Sequence, residues 1–407
     1  MTELDAKIKS EFPLLNNRDI VYLDNSATSQ NPQCVIDAVS NYYERNNANP
    51  LRGLYKLSID ATDEYENARK TVADFIHASR PEEIVFTRNA TESLNLIAYS
   101  YGMSFLRNDD EIIVSIMEHH SNLLPWQIVA KHTGAKVKYL ECNEKGEISP
   151  DDLKKIMTNK TKMVCITQIS NLFGRVNDIK EFAKVAHEVG AVFVCDGAQS
   201  VPHIPVNVVD LDVDFMVFSG HKMFAPMGIG ALYGKYELLD KMPPFLYGGE
   251  MIEYVTRCGA TYAPVPHKFE AGTVNAGDAV GLAEAIRFME RYGWETIESR
   301  ELALTKKAFE GMKEIPHVEI LGSDLPEEHH GILTFTVDGV HPHDVSTIFD
   351  SKNIAVRAGH HCVQPLHKHL HKMSTTRMSL AFYNNEDDIN AFLDCLRGMR
   401  KEMGYGE

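Results

Sequence analysis

The 407 residues contain no C-x-x-C pair, no G-x-G-x-x-G and no G-x-x-x-x-G-K-[ST]. Each absence removes a class. Without the two glycine fingerprints a dinucleotide oxidoreductase or a P-loop enzyme falls well down the list. Seven cysteines, an odd count with no paired spacing, argue against a disulfide framework or a zinc ribbon and fit a reducing compartment. No apolar run approaches the ~20 residues that cross a bilayer, and the opening MTELDAKIKSEF intersperses charges with single apolar residues, so a cytoplasmic location is expected. Positive charge is also scarce: 41 basic residues stand against 57 acidic ones, a formal charge of -16. A surface of that sign repels nucleic acid and anionic lipid, which leaves small molecules and proteins as expected partners.

Core-forming residues are plentiful. At 44% hydrophobic composition the chain can build one large domain and a smaller one. Short β-branched runs alternate with amphipathic stretches, the pattern of βαβ units around a mainly parallel sheet. Strands are expected at 83–86 (EIVF), 111–116 (EIIVSI), 135–140 (AKVKYL), 162–167 (KMVCIT), 191–196 (AVFVCD) and 215–219 (FMVFS). Helical segments lie between them, among them ATESLNLIAYSYG and IKEFAKVAHEVG. The latter puts Ile179, Phe182, Ala183 and Ala186 on one face and stops at Gly190, a residue type that ends helices. The pattern from Ala283 to Met312 is helical, and GILTFTVDG and NIAVRA then read as strands of a second, α+β unit. The expected division is an N-terminal segment (1–20) packed with the small domain, a large α/β domain (21–285) and a small C-terminal α+β domain (286–407).

Ligands of open α/β sheets sit beyond the C-terminal strand ends. Those ends carry Thr87 to Thr91, Glu118-His119-His120, Ser170-Asn171, Asp196 to Gln199 and Ser219-Gly220-His221-Lys222. A pyridoxal phosphate site needs a lysine for an imine, a carboxylate for the pyridine nitrogen, a side chain to stack on the ring and donors for one phosphate. This rim offers all four. Lys222 is followed by apolar Met223, Phe224, Ala225 and Pro226, and desolvation makes an amine more reactive. Asp196 closes an apolar strand, where a lone carboxylate needs a partner; it serves either the turn GAQS or a pyridinium nitrogen. Thr91 either caps a helix together with Glu92 or presents its hydroxyl and backbone N–H groups to phosphate.

MEHHSNLLPW, DGAQS, SGHKMFAP, FEAGTVN and VRAGHHC, spread over nearly the whole chain, resemble the class V aminotransferase-like enzymes and, within them, the SufS-type cysteine desulfurases. That resemblance implies fold type I of the pyridoxal 5'-phosphate enzymes, a homodimer with two sites at the subunit interface, and conversion of L-cysteine to L-alanine. It implies that Lys222 carries the cofactor, that Asp196 and Gln199 hold the pyridine nitrogen and ring hydroxyl, and that His119 stacks on the ring and manages protons. Thr91, Ser219 and His221 are implied phosphate ligands, and Thr273 is implied to reach the phosphate of the neighbouring subunit. Asn171 and Arg377 are implied on the substrate carboxylate side, where a guanidinium fits a carboxylate, with Arg357 an accessory contact.

Cys362 separates such an enzyme from its aminotransferase relatives. In RAGHHC it follows a strand and a glycine in a segment rich in polar donors, as an accessible thiolate requires. The resemblance implies that it takes the sulfur as a persulfide and passes it, for iron-sulfur cluster assembly, to an acceptor protein of the zinc-containing SufU type or of the SufE type. VHPHDV, with His341 and His343, is either a surface loop or a place where a histidine lends itself to the acceptor's zinc. The alternatives are a selenocysteine lyase on the same scaffold and a nonenzymatic sulfur-relay protein with a vestigial site.

Overall fold

The computed structural model describes residues 2–405. Its main sheet has seven strands: β1 (Ile84–Thr87), β2 (Glu111–Ser115), β3 (Lys136–Leu140), β4 (Thr161–Thr167), β5 (Val192–Asp196), β6 (Phe215–Ser219) and β7 (Gly230–Gly234). Their spatial order is β1-β7-β6-β5-β4-β2-β3. Neighbours from β6 through β3 pair in parallel, and β7 alone runs against its partners β1 and β6. Strands covered on both faces read as continuous apolar runs, which is why MVCIT and VFVCD stand out in the sequence; Val164, Cys165 and Ile166 have no exposed surface. The mainly parallel sheet flanked by helices is the fold expected.

Six strands lie within a residue or so of their expected positions. The seventh, GALYG, has no β-branched residue and two glycines, so it lacks a strand's usual composition. Its glycine is a packing requirement: a Cβ on Gly230 would sit 2.7 Å from both the Asn89 Cα and the Phe218 carbonyl oxygen.

Residue 285, the expected domain boundary, falls inside the helix Ala276–Tyr292. That helix packs on Lys56–Phe75 and Gln33–Asn41 beside the large sheet, and the chain first breaks at Gly293, whose φ is 75°. A second long helix, Trp294–Lys313, follows. The smaller sheet is antiparallel, with Val318–Ile320, Ile332–Val337, Thr375–Ser379 and Arg357–Gly359 in that order. NIAVRA, read as one strand, is divided at Val356. Ile354–Ala355 pairs in parallel with Val21–Tyr22, and Arg357–Gly359 joins the small sheet.

The N-terminal segment touches both units. Arg300 donates to the Asp5 carboxylate at 2.7 Å, while Phe12, fully buried, meets Phe224, Phe288, Phe382 and Tyr383. The small sheet also meets the loops of the large one closely. The Thr334 hydroxyl donates to the Leu172 carbonyl at 2.5 Å, and Gly174 (φ 70°) lies so near the His329 backbone that a Cβ there would come within 1.8 Å of its carbonyl oxygen.

Candidate active site

A cavity of about 280 Å³ opens at the C-terminal ends of β4, β5 and β6, and eleven of the twelve expected site residues line it. Thr273 does not. It is exposed, in a separate cavity of about 500 Å³ walled by Tyr65, Phe86 and Arg88.

Lys222 ends a single tight turn after β6, on a platform of buried Met223, Phe224 and Ala225. Burial pushes its amine down to about 8, against the pull of Asp196 in the other direction. Asp196, the last residue of β5, is 4% exposed and accepts the Ala198 N–H at 2.9 Å. Burial raises its carboxyl, opposed by that hydrogen bond and by Lys222. A carboxylate so placed is completed by a cation presented from the cavity. Three residues on, Gln199 donates its Nε2 to the Ser26 carbonyl at 2.9 Å, while its buried Oε1 and the Ser26 hydroxyl have no partner. Buried polar atoms without partners await a ligand; the Gln199 oxygen is an acceptor suited to a ring hydroxyl.

His119 caps the turn His120–Asn122, and its Nδ1 accepts the Ser121 N–H at 3.1 Å. The ring proton is therefore on Nε2. Burial, and then Lys222, push this imidazole down to about 3, so it is neutral at physiological pH. His221, pushed down to about 4 by burial and Lys222, is neutral too. Ser219 accepts the Ala90 N–H at 2.9 Å, and the Thr91 and Ser121 hydroxyls are 2.7 Å apart. Thr91 is not the helix cap: Asn89 holds that position and accepts the Glu92 N–H. The Thr91 side chain is thereby left at the cavity wall.

The opposite wall comes from the small sheet. Arg377, 3% exposed, donates to the Asn171 carbonyl at 2.9 Å and to Asp24 at 3.4 Å, with its Nε unpartnered. Arg357 donates to the same Asp24 at 2.9 and 3.1 Å. Asn171 turns its side chain to the cysteine loop, donating to the His361 carbonyl at 2.7 Å. Cys362 is exposed and lies between Arg357–Gly359 and the helix Gln364–His369, with φ of 49° at His361 and 59° at Cys362. Its carbonyl accepts the His120 N–H at 2.8 Å.

Lysine, lone carboxylate, neutral imidazole and hydroxyl cluster fit the cofactor that the sequence motifs imply. Asn89, on the expected rim, lines the cavity as well, and so do Ser26, Ala27, Ser121, Thr167 and His361, which sequence reasoning gave no role. For Ser26 and Ala27 the one signal is the polar turn DNSAT after the short run VYL. His341 and His343 lie elsewhere, at the start of the helix Pro342–Ser351, with rings 4.9 Å apart. Among the described residues no group of three or more histidine, cysteine or acidic side chains is placed to hold a metal, and no helix is long and apolar enough to cross a membrane.

Sheet order, crossovers and the rim at the strand ends have the fold type I architecture. A family model described as aminotransferase class-V matches residues 21–392, and the chain belongs to that family. It is 46% identical to a probable cysteine desulfurase of Halalkalibacterium halodurans over 98% of both chains. Among solved structures, the apo cysteine desulfurase of Thermococcus onnurineus NA1 superposes with a TM-score of 0.93 at 42% identity, covering 98% of each chain. The cysteine desulfurase CsdA of Escherichia coli, in an S-sulfonic acid form, does so with a TM-score of 0.91 at 37% identity and the same coverage.

Proposed function

We propose that the chain is a pyridoxal 5'-phosphate-dependent cysteine desulfurase that takes sulfur from L-cysteine onto Cys362 and releases L-alanine. The observation that carries this reading is the meeting of Lys222, Asp196 and an exposed Cys362 around one cavity. Bound there, pyridoxal phosphate supplies an electron sink for charge developing at the substrate's α-carbon.

The residues divide the remaining work. Lys222 Nζ holds the cofactor, then, displaced by the substrate's amine, takes the α-proton; an amine near pKa 8 is poised for both. Asp196 holds the proton on the ring nitrogen, and Gln199 Oε1 accepts from the ring hydroxyl. Thr91, Ser219 and His221 bind the phosphate. His119, with its proton on Nε2, stacks on the ring and moves a proton at that atom. Arg377 and Arg357 receive the substrate carboxylate, and Asn171, through the His361 carbonyl, keeps the cysteine loop against it. The Cys362 thiolate attacks the substrate sulfur: a sulfur-sulfur bond forms, the carbon-sulfur bond breaks and its electron pair stays with the β-carbon, which takes up a proton, and Lys222 returns a proton to the α-carbon to complete alanine.

Cys362 then carries a persulfide, which a thiol of an acceptor protein takes up for iron-sulfur cluster assembly. The chain acts as a homodimer in the cytoplasm. Exposed Thr273 and the apolar residues Tyr247, Tyr254 and Val255 support a partner subunit on that face, and seven free cysteines support a reducing compartment.

Incubation of the holoprotein with L-cysteine tests the reading. It should yield alanine and a Cys362 peptide heavier by one sulfur, and Cys362→Ser should yield neither while retaining the cofactor's absorbance. Undiminished alanine from that variant would remove Cys362 from the reaction.

A further inference from the structure

Two neighbouring histidines in the turn after β2 carry their ring protons on opposite nitrogens. The His119 Nδ1 accepts the Ser121 N–H, which leaves its proton on Nε2. His120 is the reverse: its Nε2 accepts the Gln364 N–H at 3.1 Å, so its proton sits on Nδ1. Burial, and then His360, push this imidazole below its ordinary value, which keeps Nε2 free to accept at physiological pH. The partner is 244 residues away in the chain and two residues past Cys362. The main chain of His120 meets the same loop, its N–H donating to the Cys362 carbonyl at 2.8 Å. One residue thus holds the cysteine loop twice, at 362 through its backbone and at 364 through its ring.

Gln364 opens the helix Gln364–His369, and Val363 before it makes no side-chain cap bond. The N–H groups of a first helical turn have no partner within the helix and take one from outside. Pro365, next in the chain, has no N–H. The His120 ring therefore supplies the cap that the loop's own residues do not. Just before this helix the backbone is left-handed, with φ of 49° at His361 and 59° at Cys362, a conformation costly for side chains other than glycine. On the reading above, in which Cys362 is the nucleophile, we infer that His120 is a positioning residue whose imidazole, as a hydrogen-bond acceptor, fixes the helix start after Cys362 and so aims the thiol at the substrate sulfur. His120 lies outside the cavity wall and acts through the loop alone. Misplacing a reacting atom by about 1 Å costs much of its rate, whereas the arginines that receive the substrate carboxylate do not depend on this bond. Adjacent residues thus serve the two halves of the site, His119 the cofactor and His120 the thiol.

The test uses the holoenzyme and replacements that leave the main-chain bond in place. His120→Phe keeps a ring without an acceptor, and His120→Gln brings an amide oxygen in place of Nε2. In His120→Phe, kcat for alanine and single-turnover persulfide formation on Cys362 should both fall about tenfold. Its KM for L-cysteine should stay within about twofold of the parent's, and iodoacetamide should alkylate Cys362 several-fold faster. His120→Gln should recover most of the parent's kcat and its slower alkylation. A loss in His120→Gln as deep as in His120→Phe overturns the inference, because shape and not the acceptor would then matter. A His120→Phe enzyme with the parent's kcat and alkylation rate overturns it equally. If His120→Phe does not fold, His120→Leu is read in the same way. A parent that forms no persulfide at Cys362 removes the reading above, and the alkylation rates then decide separately whether the ring holds the loop.

Discussion

The side-chain amide of Asn171 donates to the main-chain carbonyl of His361 at 2.7 Å, one residue before Cys362. With the His120 N–H on the Cys362 carbonyl at 2.8 Å, it ties the cysteine loop to the large sheet at two points. Both loop residues have left-handed φ, a conformation costly for side chains other than glycine, so the ties hold a backbone that would otherwise relax. Asn171→Ala should loosen the loop: alkylation of Cys362 by iodoacetamide should become several-fold faster, read by peptide mass spectrometry, with the cofactor retained. An unchanged rate would show that the His120 bond suffices.

Lys222 should titrate near pH 8 in the apoprotein. Its amine is pushed down chiefly by burial, and Asp196 opposes that shift, so removal of the carboxylate should carry the midpoint lower still. Competitive labelling of Lys222 with acetic anhydride across pH 6 to 10 reads this directly. Asp196→Asn should move the midpoint down; a movement upward would contradict the pairing.

Acid should destabilise the apoprotein through its neutral histidines. Burial pushes His361 down to about 2 and His119 to about 3, whereas an unfolded histidine titrates near 6.5. The unfolded state therefore binds more protons below pH 6.5, and stability present above that value is lost progressively as pH falls toward those folded values. Urea midpoints at pH 7 and pH 5 should differ in the parent, and His361→Asn should narrow the gap by about 1–2 kcal/mol.

Arg69 and Glu270 form a buried pair whose members are almost wholly enclosed. Glu270 also accepts the Tyr65 hydroxyl at 2.8 Å and the Phe86 N–H at 2.7 Å, and it begins the run EAGT that ends in Thr273. Glu270→Ala leaves the buried guanidinium only the more exposed Glu66 carboxylate and the Ile84 carbonyl, and should cost about 3 kcal/mol in urea unfolding. Double replacement, Arg69→Met with Glu270→Ala, should recover much of that loss.

The sequence made Asp196 conspicuous because it closes an apolar strand, and Lys222 because it sits in the turn after one and is followed by an apolar run. It left Asp24 and Ser26 obscure because their partners, Arg377 and Gln199, are hundreds of residues away in the chain. Local pattern also left the cap before Glu92 open: threonine and asparagine both cap helices, and only the fold selects Asn89. The strand β7 escaped because close packing on Asn89 demands glycine where strand propensity favours branched side chains. The helix across residue 285 has no internal break in its periodicity, so nothing local marks which sheet it covers.

Phe224, two residues beyond Lys222, is surrounded by rings from positions 12, 288, 382 and 383. The platform under the lysine is thus assembled from segments far apart in sequence, among them the helix Ala276–Tyr292 and the turn after the strand Thr375–Ser379. Loosening any one of these rings therefore loosens the footing of Lys222, however far that ring lies from the cavity in the sequence.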